Sequence, residues 1–116
     1  MIEKMNEAVE YIRQRYAEPA GLGLILGSGL GAFAEAVQGA VRIPFGDIPH
    51  FPVSSVAGHA GTLIMGRLHG RSVAVMQGRV HYYEGYSPDE VIFPARVLHG
   101  LGLMTLVVGI SIGKLI

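Results

Sequence analysis

The sequence has no cysteine and no tryptophan among its 116 residues. Without cysteine, disulfides, thiolate-ligated zinc, iron–sulfur clusters and thiol catalysis are excluded together, and the composition points to a reducing, cytoplasmic setting. Net charge is also absent, since nine Lys and Arg balance nine Asp and Glu. A nucleic-acid backbone or an anionic membrane finds no electrostatic footprint here, although a small anion needs only one or two well-placed cations. Charged residues are few, at 16%, while half the chain is apolar and the mean hydropathy is +0.41. That balance excludes intrinsic disorder, which needs low hydrophobicity and high net charge. Long apolar runs are lacking too: Pro19–Ala34 and Val97–Gly113 carry no Asp, Glu, Lys or Arg. Both are shorter than the ~18–20 residues that cross a bilayer, and glycines interrupt each. The N-terminal stretch carries Glu3, Glu7 and Glu10 and no continuous apolar core, which argues against a signal or transit peptide.

Glycine is what the chain has in excess. Seventeen glycines are roughly twice the usual share, yet glycine plus proline stays below the low-complexity range, so individual glycines should have individual tasks. A chain of 12.4 kDa suits one domain with one hydrophobic core, and it shows neither an internal repeat nor a linker.

Ile2, Met5, Val9, Ile12 and Tyr16 recur at spacings of three and four, which predicts an amphipathic helix from Met1 to Ala17, closed by Pro19. Leu22 to Leu26 reads as a buried strand that runs into Gly27-Ser28-Gly29-Leu30-Gly31, and a short helix is expected over Leu30 to Val37. A strand is expected over Val41 to Phe45, then a loop from Gly46 to Gly61. Thr62 to Leu68 and Arg71 to Met76 read as a hairpin turning at His69-Gly70. After the polar and aromatic segment Gln77 to Tyr86, Ser87-Pro88-Asp89-Glu90 announces a helix with a capping box, expected to reach Leu98, to be strained at Pro94 and to stop at Gly100. Met104 to Val108 is the last expected strand. Strands alternating with helices, together with a hairpin, predict an α/β fold with a mixed β-sheet flanked by helices.

Two constellations could carry chemistry. A glycine turn between a strand and a helix N-terminus lets backbone N–H groups approach an anion, and the Ser28 hydroxyl can add a hydrogen bond. A plain strand-to-helix turn is the alternative. Gly27, Gly29 and Ala32 also fit a looser dinucleotide-binding pattern, with Asp47 about twenty residues on. That reading ranks lower, because Asp47 follows Gly46 in a proline-rich loop. The second constellation is Arg79, His81, Tyr83 and Glu84. Arg79 can grip a phosphate bidentately, and on extended chain His81 and Tyr83 point to the same side. Glu84 can orient the imidazole or favour its charged form. A polar surface loop is the alternative here. His59, between Gly58 and Ala60, reads on its own as a loop residue. Two look-alikes fail: Gly109-Ile110-Ser111-Ile112-Gly113 has no Asp or His after it, as a nucleophile elbow requires. Gly113-Lys114 is followed by Leu115 where a P-loop needs Ser or Thr.

Taken together, several segments resemble the N-terminal part of purine nucleoside phosphorylases of the trimeric, inosine/guanosine-type family. They are Ile25 to Gly31, Ile48-Pro49-His50-Phe51-Pro52, Val56 to Gly61, Gln77 to Tyr86, and Phe93-Pro94-Ala95-Arg96-Val97. The resemblance runs from about residue 20 to Val108. It implies phosphorolysis of purine (deoxy)ribonucleosides to free base and (deoxy)ribose 1-phosphate. It also implies that Ser28, Arg79 and His81 bind phosphate, that Tyr83 and His59 face the ribose, and that Glu84 pairs with His81, making His81 and Glu84 the catalytic pair. Inorganic phosphate would be a co-substrate, with no metal and no organic cofactor, and the full-length family is homotrimeric. Members of the family continue past the last strand with an Asn-Ala-Ala-Gly-Gly type stretch and a second half that reads the purine. Here Val108 is followed by Gly109 to Ile116, so residues 1–116 are expected to form a partial, truncated domain with a divergent tail over 109–116. The same comparison leads to an expectation of little turnover by this polypeptide alone, and leaves a non-catalytic phosphate-binding fragment as the alternative.

Overall fold

The computed structural model describes residues 2–26, 34–53, 61–77, 87–103 and 105–108. Helix α1 spans Ile2–Arg15, with Glu3 in its first turn and Arg13 and Arg15 in its last, where each complements the helix dipole. Its buried residues are Ala8, Val9 and Ile12, with Met5, Tyr11 and Tyr16 packed partly against the same core. The expected stripe is therefore displaced at its start: Ile2 is 70% exposed, and Ala8 takes a core place that its small size conceals in the sequence. The helix also ends two residues before Ala17. Past Arg15 the Tyr16 hydroxyl bonds the Glu18 carboxylate at 3.0 Å and Ser72 Oγ at 3.1 Å, and Pro19 disfavours helical geometry at Glu18.

Five strands form one mixed sheet: β1 (Leu22–Leu26), β2 (Gln38–Pro44), β3 (Thr62–Leu68), β4 (Arg71–Gln77) and β5 (Thr105–Val108), in the order β2-β3-β4-β1-β5. The β1 strand is parallel to both β4 and β5, whereas β2–β3 and β3–β4 are antiparallel. His69 and Gly70 turn the β3–β4 hairpin with φ of 50° and 78°, the two positive values of a type I′ turn, whose twist matches that of the strands it joins.

The β2 strand begins at Gln38 rather than Val41, and Phe45 leaves it for a 3-10 turn over Phe45–Asp47. Residues 38–40 are exposed on a strand that, among the described residues, pairs only with β3, and the register shifts between Gln38 and Val41. An exposed, bulged edge strand shows no apolar alternation. In the expected 30–37 helix, Ala34 and Glu35 are helical, while 27–33 lie outside the described residues, as does Met104 before β5.

Helix α2 spans Pro88–Gly100 and crosses from β4 to β5 over the intervening β1. Ser87 Oγ accepts the Glu90 N–H at 3.2 Å, and the Ser87 N–H donates to Glu90 Oε1 at 3.1 Å, a complete capping box. The far end departs from expectation, since α2 continues through Gly100 and the stop is Gly102, at φ +90°. The Gly102 N–H donates to His99 at 3.0 Å and the Leu103 N–H to Leu98 at 3.4 Å, which is a Schellman closure needing a left-handed residue. Gly100 instead lies against α1, where a Cβ would come within 2.9 Å of Val9 Cγ2. Pro94 is buried within α2, and its missing N–H leaves the Glu90 carbonyl without an i+4 donor.

Both helices cover one face of the sheet. Ile12, Val97 and Leu98 pack there with Ile43, Leu63, Met65, Ala74 and Met76, and Phe45, Phe51 and Phe93 close the cluster edge to face, with centroids 5.2 and 6.0 Å apart. On the second face Ile64, Val73 and Val75 form a smaller cluster with Ala34 and Val37. The α/β expectation with a mixed sheet and flanking helices agrees with this arrangement. Among the described residues no helix is long and apolar enough to cross a membrane.

Candidate functional site

The chemistry-bearing residues singled out in the sequence, Ser28, His59, Arg79, His81, Tyr83 and Glu84, lie outside the described residues. What the structure does place is the scaffold from which their segments depart. Leu26, the last residue of β1, is level with Gln77, the last residue of β4. Gln77 is in turn opposite Thr62, the first residue of β3. Three adjacent strands therefore meet the 27–33, 54–60 and 78–86 segments at one edge of the sheet. Ile25 is level with Val108, so β5 ends at the same edge. In α/β sheets this carboxyl edge of the parallel strands is where ligands bind.

Packing beneath this edge is close. Gly61 is buried, and its carbonyl accepts the Phe45 N–H at 2.9 Å. Leu63 and Met76 are 0% and 2% exposed on the helix-covered side, and Val75 is 0% exposed on the other. After 78–86 the described residues resume at Ser87, whose capping box opens α2. Gly61, which follows the 54–60 segment, and Ser87, which follows 78–86, are thus each held by hydrogen-bonded backbone.

The topology removes the dinucleotide reading. That motif needs β1 and the following strand as parallel neighbours with the acidic residue at the second strand's end. Here β2 is three places from β1 at the sheet's edge, and Asp47 is exposed in the 3-10 turn beyond it.

Elsewhere, a hydrogen bond between His50 Nε2 and a Glu7 carboxylate oxygen joins the Pro49–His50 turn to α1. It sits beside a cavity of about 320 Å³ lined by Glu7, Glu10, Tyr11, Gln14, Pro49 and His50. No sequence signal marks this pair, because its members are 43 residues apart and belong to no common motif. Among the described residues no group of three or more His, Asp or Glu side chains is placed to hold a metal ion.

Residues 22–111 match the phosphorylase superfamily. The chain is 51% identical over 104 residues to purine nucleoside phosphorylase 1 of Geobacillus stearothermophilus, a match covering 90% of this chain and 38% of that protein. It is 49% identical over 108 residues to the protein of the same name from Bacillus subtilis strain 168, covering 93% of this chain and 40% of the relative. Among solved structures, a purine nucleoside phosphorylase in complex with ribose-1-phosphate superposes with a TM-score of 0.87 at 45% identity, covering 94% of this chain and 40% of that one. The Schistosoma mansoni purine nucleoside phosphorylase in complex with acetate gives 0.86 at 47% identity, covering 92% and 39%. The chain spans about 40% of the length of the curated relatives it matches. With its β1 to β5 framework inside the matched residues and its topology shared with these structures, this chain belongs to the phosphorylase superfamily.

Proposed function

We propose that this polypeptide carries the phosphate side and part of the ribose side of a purine nucleoside phosphorylase. The observation that carries the reading is the meeting of three segments, bearing Ser28, His59 and the Arg79–Glu84 group, at one edge of β3, β4 and β1. Identity near 50% to purine nucleoside phosphorylases over nine-tenths of the chain supports it.

In the reaction a phosphate oxygen attacks the anomeric carbon of a purine (deoxy)ribonucleoside as the bond to the base nitrogen breaks. The base leaves with the electron pair and takes up a proton, and (deoxy)ribose 1-phosphate remains. Positive charge develops on the sugar in the transition state, so a firmly held phosphate dianion both attacks and stabilises it. Arg79 grips the dianion bidentately, and Ser28 and His81 each donate a hydrogen bond. Glu84 orients His81 and keeps its donor aimed at phosphate. Tyr83 and His59 face the sugar. Inorganic phosphate is a co-substrate, and the chemistry calls for no metal or organic cofactor. Groups that read the purine belong to the part of the relatives that residues 1–116 do not span, so these residues form part of a larger domain, with 109–116 as a divergent tail. The full assembly is a cytoplasmic homotrimer in this reading.

Coverage of about 40% of the relatives' length favours a second reading for the isolated chain: phosphate binding without turnover. Two measurements on the purified 116-residue chain separate the cases. Calorimetric titration with inorganic phosphate is expected to show saturable binding that Arg79→Ala abolishes. Incubation with inosine and phosphate is expected to release no hypoxanthine. Absence of phosphate binding refutes the proposal, and release of hypoxanthine refutes the second reading.

A further inference from the structure

Tyr16 and Glu18 precede the residues that match the superfamily, yet their side chains bond to β3 and β4. Arg67 and Ser72 are register partners beside the His69-Gly70 turn, and alternation with Leu63, Met65, Ala74 and Met76 places both on the face that α1 covers. The Tyr16 hydroxyl stands 3.0 Å from Glu18 Oε2, 3.1 Å from Ser72 Oγ and 3.4 Å from the Gly66 carbonyl oxygen. A phenol has one proton to give. The carboxylate and the carbonyl can only accept, and the carboxylate is both nearer and charged, so it takes that proton. Ser72 is then the donor to the phenolic oxygen. Glu18 uses its second oxygen, Oε1, to accept from Arg67 Nη2, while Arg67 Nη1 donates to the Gly70 carbonyl at 3.0 Å. Hydrogen bonds therefore run in one direction from Ser72 through Tyr16 to Glu18, and Arg67 joins that carboxylate to the turn.

We infer that this chain of hydrogen bonds is a clasp that makes α1 a strap, locked onto the sheet only once the β3–β4 hairpin has closed. Arg67 and Ser72 stand side by side only in the register of the closed hairpin, and the clasp needs both at once. Tyr16, Glu18 and Ser72 are half-buried, whereas Arg67 is exposed. An exposed ion pair by itself contributes little, so the strength of the clasp lies in the sheltered hydroxyls, each polarised by the charge at the end of the chain. Among the described residues, two other polar ties of α1, Glu7 to His50 and Arg13 to the Gly100 carbonyl at 3.4 Å, reach a turn and α2 rather than the hairpin. Opening the clasp frees the C-terminal end of the helix whose Ala8, Val9 and Ile12 cover the apolar face. The inference stands apart from the phosphate-site reading.

The test is native-state hydrogen exchange on the full chain, comparing the amides of Val9 to Arg13 in α1 with those of Leu63 to Met76 in the hairpin. Tyr16→Phe removes the hydroxyl and keeps the ring. It is expected to speed exchange in α1 about tenfold, the scale of a lost hydrogen bond to a charged group, and to leave the hairpin within about twofold of the unaltered chain, as a local opening would. Ser72→Ala, although made in the hairpin itself, is expected to speed exchange in α1 as well. Combined with Tyr16→Phe it should add less than about twofold, because it acts through the phenol. Exchange in α1 within about twofold of the unaltered chain in Tyr16→Phe overturns the inference, as does equal acceleration of α1 and hairpin, the sign of a general loss of stability. Effects of the two substitutions that simply multiply overturn it too, since residues in one hydrogen-bond network do not act independently. If Tyr16→Phe does not fold, Glu18→Gln, which keeps the shape and removes the charge, takes its place under the same criteria.

Discussion

Gly61 yields its side-chain space to Phe45: a Cβ at Gly61 would overlap three atoms of the Phe45 ring, while the Gly61 carbonyl accepts the Phe45 N–H at 2.9 Å. Phe45 is 2% exposed and already fixed edge-on by Phe51, so its ring has nowhere to retreat. This contact anchors the entry to β3, directly after the 54–60 segment that carries His59.

Gly61→Ala is accordingly predicted to destabilise the fold by about 1–3 kcal/mol, the range of overpacked cores. Gly46→Ala is the control, since among the described residues a Cβ there meets only Val53 Cγ2, at 4.0 Å, and its effect should stay within about 0.5 kcal/mol. Urea denaturation measures both; equal midpoints for the two variants would refute the steric account.

Ser87→Ala removes one half of the capping box seen between Ser87 and Glu90. The expected loss is about 1 kcal/mol. Because the cap is exposed, no cavity contributes, so Ser87→Asp should recover most of the loss in the same denaturation experiment. Failure of Asp to rescue would mean that the side-chain acceptor is not what stabilises this terminus.

The superfamily match begins at residue 22, yet α1 lies within the core: Ile12 is 0% exposed and packs beneath α2 and the sheet. Ile12→Ala is predicted to cost about 2–5 kcal/mol, enough to unfold much of a marginally stable population. Circular dichroism at 25 °C, followed by thermal melting, reads this directly. A shift in melting temperature below a few degrees would show that α1 is dispensable.

If the proposed phosphate site is correct, Arg79→Ala should weaken phosphate binding by at least tenfold, the effect of losing a charge-assisted bidentate contact. The anion-free melting temperature should not change measurably. Asp47→Asn should leave phosphate affinity unaltered and create no defect towards dinucleotides, as expected for an exposed residue on the edge-strand side of the sheet. Saturable NADH fluorescence changes dependent on Asp47 would reinstate the discarded motif.

Much of this architecture is readable locally. The capping box of α2, the His69-Gly70 turn and the apolar run of β1 each state their structure within a few residues, and each appears as read. The misreadings share a cause, which is that packing partners lie far away in sequence. Gly100 looks like a helix stop but is small because Val9 is beside it. Gln38 to Ala40 fall outside the strand expected from Val41 because an edge strand exposes them. Strand order was not readable at all, since nothing near Leu22 indicates that its neighbours are Val73 and Thr105. Ser28 and the Arg79–Glu84 group announce themselves through residue chemistry, whereas His59 acquires a role only through family resemblance.

That strand order also constrains how the chain can assemble. The β3–β4 hairpin closes through two turn residues, whereas β1 must wait for a partner about fifty residues downstream and then for a second about eighty downstream. Local pairings form fast and distant ones slowly. During synthesis or refolding Leu22–Leu26 therefore remains an apolar strand without a ladder until β4 exists, and pulse-labelled hydrogen exchange should find the amides of Leu63 to Met76 protected before those of Gly23 and Leu24. The strand that leads into the proposed phosphate loop is among the last to be enclosed, so the anion site can be completed only after the rest of the sheet has chosen its order.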